Sequence, residues 1–250
     1  MMKPLIVIPT YNERRNIEAL FPRIFDYLPA GDILVVDDAS PDGTSRAARD
    51  IANRFKRKIH VLRRPRKMGL GSAYVCGFLH ALARMPHADP IIQMDADGSH
   101  DPSSIPEMLR LLRKADAVVG SRYLRGTRVI NWPWTRLLLS LAANSYARSV
   151  TGIPLSDLTG GFNAMRRALI KRIDPRTLRS NGYAFQVELK ARMAGLSARI
   201  VETPIVFTGR VEGESKLSRM DVFEAAFAVW RLRIGKRSAA GRGPNPNPPT

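Results

Sequence analysis

The stretch IIQMDADGSHDP, residues 91–102, ends an apolar run in two aspartates one residue apart, Asp95 and Asp97, with Asp101 close behind. Hard oxygen donors at that spacing suit a hard divalent cation. Mg2+ and Mn2+ take one or two protein carboxylates and complete the shell with phosphate oxygens and water. At a strand end, residues i and i+2 point to the same side, so the pair reads as half a metal site that a diphosphate would finish. Ser99 would add or orient a further oxygen, and His100 reads as a supporting or turn residue. The chain around these acids is strongly basic: 40 Lys and Arg against 22 Asp and Glu, a formal net charge of +18. Carboxylates gathered in so basic a chain suggest a division of labour, in which acids hold a cation and bases hold anions.

The elements that must position these residues alternate through the first half. KPLIVIPT, DILVVDD, KIHVLRR, PIIQMDAD and ADAVVGSR read as strands, and RRNIEALFPRIFDYL, GTSRAARDIANRF, GSAYVCGFLHALAR and SSIPEMLRLLRK as helices between them. Pro22 predicts a break or kink in the first helix. Strands that are apolar throughout, alternating with helices, predict an α/β fold with a mainly parallel sheet covered on both faces. Ligands of such sheets bind beyond the carboxyl ends of the strands. The polar segments PTYNE, DDASPDGT, DADGSHD and GSR all fall there. Neither a P-loop lysine signature nor GxGxxG is present, so neither of those phosphate cradles is expected. In the second half, NWPWTRLLLSLAANSYARSVTG reads as a long amphipathic helix with Trp132 and Trp134 at its start. LSDLTGGFNAMRR reads as a glycine-containing turn feeding a short helix, YAFQVELKARMAG as a helix, ARIVETPIVFT as a strand and RMDVFEAAFAVWRLRI as a last helix.

Composition bounds the rest. At 250 residues the chain suffices for one sizeable domain, set at 1–234, followed by a basic Pro/Gly/Asn-rich tail at 235–250 expected to be disordered. The one cysteine, Cys76, excludes an internal disulfide and reads as a small core residue. No stretch reaches the roughly 18 apolar residues of a membrane span, and the apolar run at the start is too short for a signal peptide. A soluble or peripheral protein is expected. Eight basic residues between Arg54 and Lys67, and five more in the last twenty positions, suggest phosphate-bearing substrates, an anionic membrane or nucleic acid. No recognition module for nucleic acid is present, and that partner is set aside.

Taken in order, PTYNERRNI, VVDDASPDGT, RKMGLGSAYVCGF, MDADGSHDP and GSRY resemble the signatures of family 2 glycosyltransferases of the GT-A, Rossmann-like fold. DLTGGFNAMRR, GYAFQVELKARMAG and EGESKL narrow the resemblance to the polyprenol-phosphate, or dolichol-phosphate, mannose synthases, from about Pro4 to Leu217. The resemblance implies metal-dependent, inverting transfer of mannose from GDP-mannose to a polyprenyl monophosphate. A UDP-sugar such as UDP-glucose is the alternative donor. It further implies Mg2+ or Mn2+ on Asp95 and Asp97, with Ser99 beside them. Pro9, Tyr11, Glu13, Asp37, Asp38, Lys67, Gly69 and Ala96 would contact the nucleotide sugar. Arg122, Arg136, Arg210 and Lys216 would gather around the donor and acceptor phosphates. Asp157 and Thr159 would lie near the sugar, and Asp95, Asp97, Arg122 and Asp157 form the implied catalytic set. Three positions depart from the family pattern: Gly98 where an apolar residue is common, Gly160 for the usual Ser, and Asn163 for the usual Arg. The amphipathic segment WPWTRLLLSLAANSYARS at 132–149 and the basic end of the last helix suit a lipid interface. Peripheral attachment to the cytoplasmic face of a membrane is expected, with room for a separate anchor protein.

Overall fold

The strands form where the sequence is apolar on both sides of the pleat, because each side is covered by helices. The structure, a computed structural model, describes residues 3–56, 58–209 and 226–231. In chain order the elements are β1 (Lys3–Thr10), α1 (Arg14–Tyr27), β2 (Asp32–Asp37), α2 (Thr44–Phe55), β3 (Ile59–Arg63), α3 (Leu70–Arg84), β4 (Ala88–Gln93) and α4 (Ile105–Leu111). There follow β5 (Ala117–Ser121), β6 (Val129–Ile130), α5 (Trp134–Thr151), β7 (Asn163–Met165), α6 (Arg167–Ile173), α7 (Gly182–Gly195), β8 (Ile200–Pro204) and β9 (Phe207–Thr208). Residues 226–231 are helical. The central sheet has seven strands in the order β3-β2-β1-β4-β7-β5-β8, and β6 pairs with β9 beside it.

Alternation along the strands divides the core in two. Ile6, Ile8, Ile33, Val35 and Ile92 pack with α1, α2 and α4 on one face. Leu5, Val7, Leu34, Val36 and Ile91 pack with α3, α6 and α7 on the other. Every strand of the sheet runs the same way except β7, which is antiparallel to both β4 and β5. Its register sets Asn163 opposite Gln93 and Val119. Its leading turn, residues 157–162, therefore arrives at the same edge as the carboxyl ends of β1, β2, β4 and β5.

The mainly parallel α/β architecture is the one the sequence predicts, with local differences. Helix α1 runs through Pro22 without ending. The missing N–H costs one bond, whereas burying Ile17, Leu20, Phe21, Ile24 and Phe25 against the sheet keeps the helix whole. Strand β4 ends at Gln93, so Asp95 and Asp97 lie in the loop beyond it. SSIPEMLRLLRK is a short α-helix flanked by 3-10 turns. The segment read as a turn before a helix contains β7, and ARIVETPIVFT divides into β8 and β9. Arg210, Lys216 and the tail at 235–250 lie outside the described residues.

Candidate active site

The loop after β4 is built around its two acids. Tyr74, fully buried on α3, donates its phenol proton to Asp95 Oδ1 at 2.8 Å. The Asp95 backbone N–H donates to His100 Nδ1 at 3.1 Å, and that ring lies against Phe162 and Phe207. Burial lowers the His100 pKa, against the pull of Asp95 and Asp97, so the imidazole is an uncharged acceptor. Burial, then the charges of Asp95 and Asp97, push the Tyr74 phenol well above its ordinary range, which keeps it a donor. Ser99 donates both its hydroxyl, at 2.6 Å, and its N–H, at 3.1 Å, to Asp97 Oδ1. Ser99 is thus placed to orient Asp97. Ala96 is buried between the two aspartates. Gly98 takes φ +73°, a left-handed turn that side chains enter at a cost, which accounts for glycine at this position.

Among the described residues no group of three or more His, Cys, Asp or Glu side chains is assembled for a metal. The donor set at this edge is a carboxylate pair without sulfur or imidazole ligands. It fits a hard cation whose shell is completed by phosphate and water, and does not fit structural zinc.

The loops after β1 and β2 form the next part of the edge. Asp37 is fully buried and accepts from Thr10 Oγ1, Ser40 Oγ, Ser40 N and Ser45 Oγ at 2.5–3.1 Å. It ties the two loops together from within. Asp38 pairs with buried Arg64 and accepts from Met68 N–H at 2.9 Å. Arg64 goes on to Ser72 Oγ and to the carbonyl of Gly69, which has φ +93°. These contacts fix the basic segment 64–69 beside β1, where Lys67 Nζ lies 4.4 Å from the exposed Tyr11 ring. Pro9 is within β1 opposite Val36. Glu13 accepts from Asn16 Nδ2 at 2.6 Å at the start of α1.

The third part is the turn before β7. Arg122, only 3% exposed, meets Asp157 through two bonds, Nε to Oδ2 at 2.7 Å and Nη2 to Oδ1 at 2.8 Å, and gives Thr159 Oγ1 a third at 2.7 Å. Its guanidinium lies between the rings of Tyr123, Trp132 and Phe207. Burial alone would raise the Asp157 pKa; the charge and hydrogen bonds of Arg122, with help from Lys190, hold it at about 2. Asp157 Oδ1 also receives the N–H of Thr159 and of Gly160. A Cβ at Gly160 would stand 3.0 Å from Asp157 Oδ2, so the serine usual in the resembling family would crowd this carboxylate. Asn163, the third departure, joins Gln93 and Gln186 in a buried amide cluster.

Of the remaining sequence-predicted residues, Arg136 lies with its guanidinium 4.2 Å from the Trp132 ring. Both border an apolar cavity of about 300 Å³ between α5, α7 and residues 226–231, lined also by Leu139, Tyr146, Val187 and Val229 and reaching Thr159. Sequence reasoning named neither this cavity nor Tyr74, Arg64, Lys190 or Glu202. A lysine and a glutamate inside YAFQVELKARMAG were the available signal for α7, whose residues 184–191 are all buried.

The family model for glycosyl transferase family 2 matches residues 5–174. Undecaprenyl-phosphate mannosyltransferase of Micrococcus luteus is 44% identical over 241 residues, covering 94% of this chain and 96% of that protein. Polyprenol monophosphomannose synthase of Mycolicibacterium smegmatis is 42% identical over 242 residues, covering 96% and 91%. Among solved structures, a mannosyltransferase from Pyrobaculum calidifontis in complex with GDP-Man and Mn2+ superposes with TM-score 0.58 at 17% identity, over 96% of this chain and 76% of that one. Glucosyl-3-phosphoglycerate synthase from Mycobacterium tuberculosis with Mn2+, UDP-glucose and phosphoglyceric acid superposes with TM-score 0.66 at 19% identity, over 94% and 80%. At these identities the structural likeness is one of fold.

Proposed function

The chain belongs to glycosyl transferase family 2, and we propose that it transfers mannose from GDP-mannose to the phosphate of a polyprenyl monophosphate, releasing GDP. The observation that carries this reading is the meeting of two surfaces: the polar strand edge with Asp95 and Asp97, and the apolar cavity that reaches Thr159 beside Arg122. A sugar nucleotide suits the first and an isoprenoid chain the second. The names of the relatives at 44% and 42% identity support mannose as the transferred sugar and a polyprenyl phosphate as its acceptor.

Asp95 and Asp97 would hold Mg2+ or Mn2+, which when bound neutralises charge on the departing diphosphate. Tyr74 and Ser99 hold those carboxylates in place. The acceptor is a phosphate monoester with a second pKa near ~6, so its attacking oxygen is already anionic at neutral pH and requires no strong base. That oxygen forms the new bond to the anomeric carbon as the bond to the GDP oxygen breaks, with inversion. What the chain must supply is cationic compensation for two anions brought together. Arg136, half-buried at the rim of the cavity, is assigned to the acceptor phosphate. Arg122 acts from its buried pair with Asp157, and Lys67 and Tyr11 lie on the nucleotide side. Among the described residues no helix is long and apolar enough to cross a membrane. Attachment is assigned to the surface of the cytoplasmic leaflet.

Purified protein incubated with GDP-mannose, Mg2+ or Mn2+ and a short polyprenyl phosphate should yield polyprenyl-phosphate mannose by mass spectrometry. Product from UDP-glucose and none from GDP-mannose would overturn the donor assignment. Arg136→Ala should raise KM for the lipid phosphate about tenfold or more, the scale of a lost charge-assisted contact. KM for GDP-mannose should hold; equal small effects on both substrates would remove Arg136 from the acceptor side.

A further inference from the structure

Lys190 is a fully buried lysine on α7. Its Nζ donates to the carbonyl oxygens of Gly160 at 2.7 Å and Leu158 at 3.3 Å. Those two carbonyls flank Thr159, the residue that meets Arg122 and reaches the cavity. An ammonium held by backbone carbonyls is an expensive way to fill a core, because the charge has left water. An apolar side chain would serve packing alone better.

The turn it grips is held from three further directions. Glu202 of β8 accepts the N–H groups of Ser156 and Asp157. Asn144 of α5 binds the Ser156 carbonyl and the Leu158 N–H. Arg122, after β5, takes Asp157 and Thr159. Glu202 and Asn144 fix the front of the turn, and Lys190 alone among these four fixes the carbonyls on either side of Thr159.

We propose that Lys190 is a positioning residue for the transfer reaction: its ammonium holds the 158–160 backbone so that Thr159 and Arg122 are aligned where the polar edge meets the apolar cavity. This rests on the functional reading above.

A pH dependence follows. The charged groups facing Lys190 are Asp157 on the turn, Arg122 after β5 and Glu202 on β8. Burial lowers its pKa first; Asp157 and Glu202 oppose that and Arg122 adds to it, leaving about 8. Above that pH the two bonds to carbonyls lose their charge assistance, which roughly halves their strength. Turnover should therefore decline as pH rises through 8.

The test compares wild type with Lys190→Met, which keeps an unbranched side chain, one atom shorter, and removes the charge. The variant should turn over about 10- to 100-fold more slowly, the scale of a small misplacement of reacting groups. Its KM for GDP-mannose should be unchanged, and its kcat should be flat between pH 7 and 9 where that of wild type falls. Amide exchange should quicken in the peptide covering 157–161 and keep its wild-type protection in β1 and β4. Unchanged turnover, an unchanged alkaline decline, or exchange unaltered at 157–161 would each overturn the proposal. So would faster exchange throughout the sheet, which marks a merely structural lysine. Should wild type transfer no mannose, the functional reading falls, and the exchange result still decides whether Lys190 holds the turn.

Discussion

Tyr74 and Asp97 separate two ways in which a residue serves the same site. Asp97 would be a ligand, so Asp97→Ala should remove turnover at saturating metal while the fold persists. Near-normal kcat in that variant would reject the metal role. Tyr74 only steadies Asp95, through one hydrogen bond from a fully buried ring. Tyr74→Phe keeps the ring and should weaken metal affinity about 10- to 100-fold, as loss of an outer-shell partner does. Titration calorimetry with Mn2+ reads this directly, and an unchanged affinity would show that the phenol does not set the carboxylate. The Arg122–Asp157 pair makes a different kind of prediction. The folded pKa of Asp157, about 2, lies below its ordinary value of 3.8. Its contribution, about 2 kcal/mol by linkage, is therefore fully present above about pH 4 and is lost as pH falls through 2. Asp157→Asn leaves a buried guanidinium without its counter-charge and should cost about 3–5 kcal/mol at neutral pH. In urea unfolding, that deficit should narrow as pH falls from about 4 towards 2; a deficit constant with pH would show that the carboxylate's charge is not what stabilises the turn.

Elements differ in how openly the sequence declares them. Strands β1, β2, β4 and β5 and the helices between them follow from apolar runs and helical spacing, because burial on both sheet faces writes itself into composition. The carboxyl-edge position of Asp95 and Asp97 follows from the same pattern. Strand β7 does not: it is three residues, Asn163–Met165, whose strand character comes from being clamped between β4 and β5. The Tyr74–Asp95, Arg122–Asp157 and Lys190–Gly160 contacts join residues 21, 35 and 30 positions apart, and only the topology brings them together. The cavity was hidden for the same reason, since it needs α5, α7 and residues 226–231 assembled. Helix α1 shows the opposite error, where a correct local rule is overridden by packing. Interior proline costs a helix about 3 kcal/mol relative to alanine, partly offset by a gain of about 0.4–1 kcal/mol from a stiffer unfolded chain. Pro22→Ala should therefore raise stability by about 2–2.6 kcal/mol, seen as a higher Tm. A lower Tm would mean that the proline ring itself packs where alanine leaves a gap.

At the scale of the whole molecule, two of the three helical segments that flank the cavity also present bulky side chains outward. Trp134 and Leu138 of α5 are 72% and 54% exposed, and Phe227 stacks on Trp230 at 6.0 Å with both rings substantially exposed. Most of α5 is exposed, and only Asn144 and Ala147 are buried. A water-soluble domain gains nothing by showing aromatic rings beside its apolar cavity, whereas a lipid surface would bury them, and the acceptor chain of the proposed reaction would then arrive beside the same cavity. The net charge of +18 adds attraction to anionic headgroups. Both terms should be visible in one flotation experiment. The protein should float with vesicles containing anionic lipid at low salt, and binding should weaken as salt shortens the screening length from about 30 Å at 0.01 M to about 8 Å at 0.15 M. Replacing Trp134 and Leu138 with Ser should weaken binding at every salt concentration, because the apolar contribution is not screened. Neither side chain borders the cavity, so turnover of a short, water-soluble polyprenyl phosphate should be retained in that variant while turnover of vesicle-borne acceptor falls. Equal loss on both acceptors would place α5 in the reaction itself, and undiminished vesicle binding would show that the membrane meets another face.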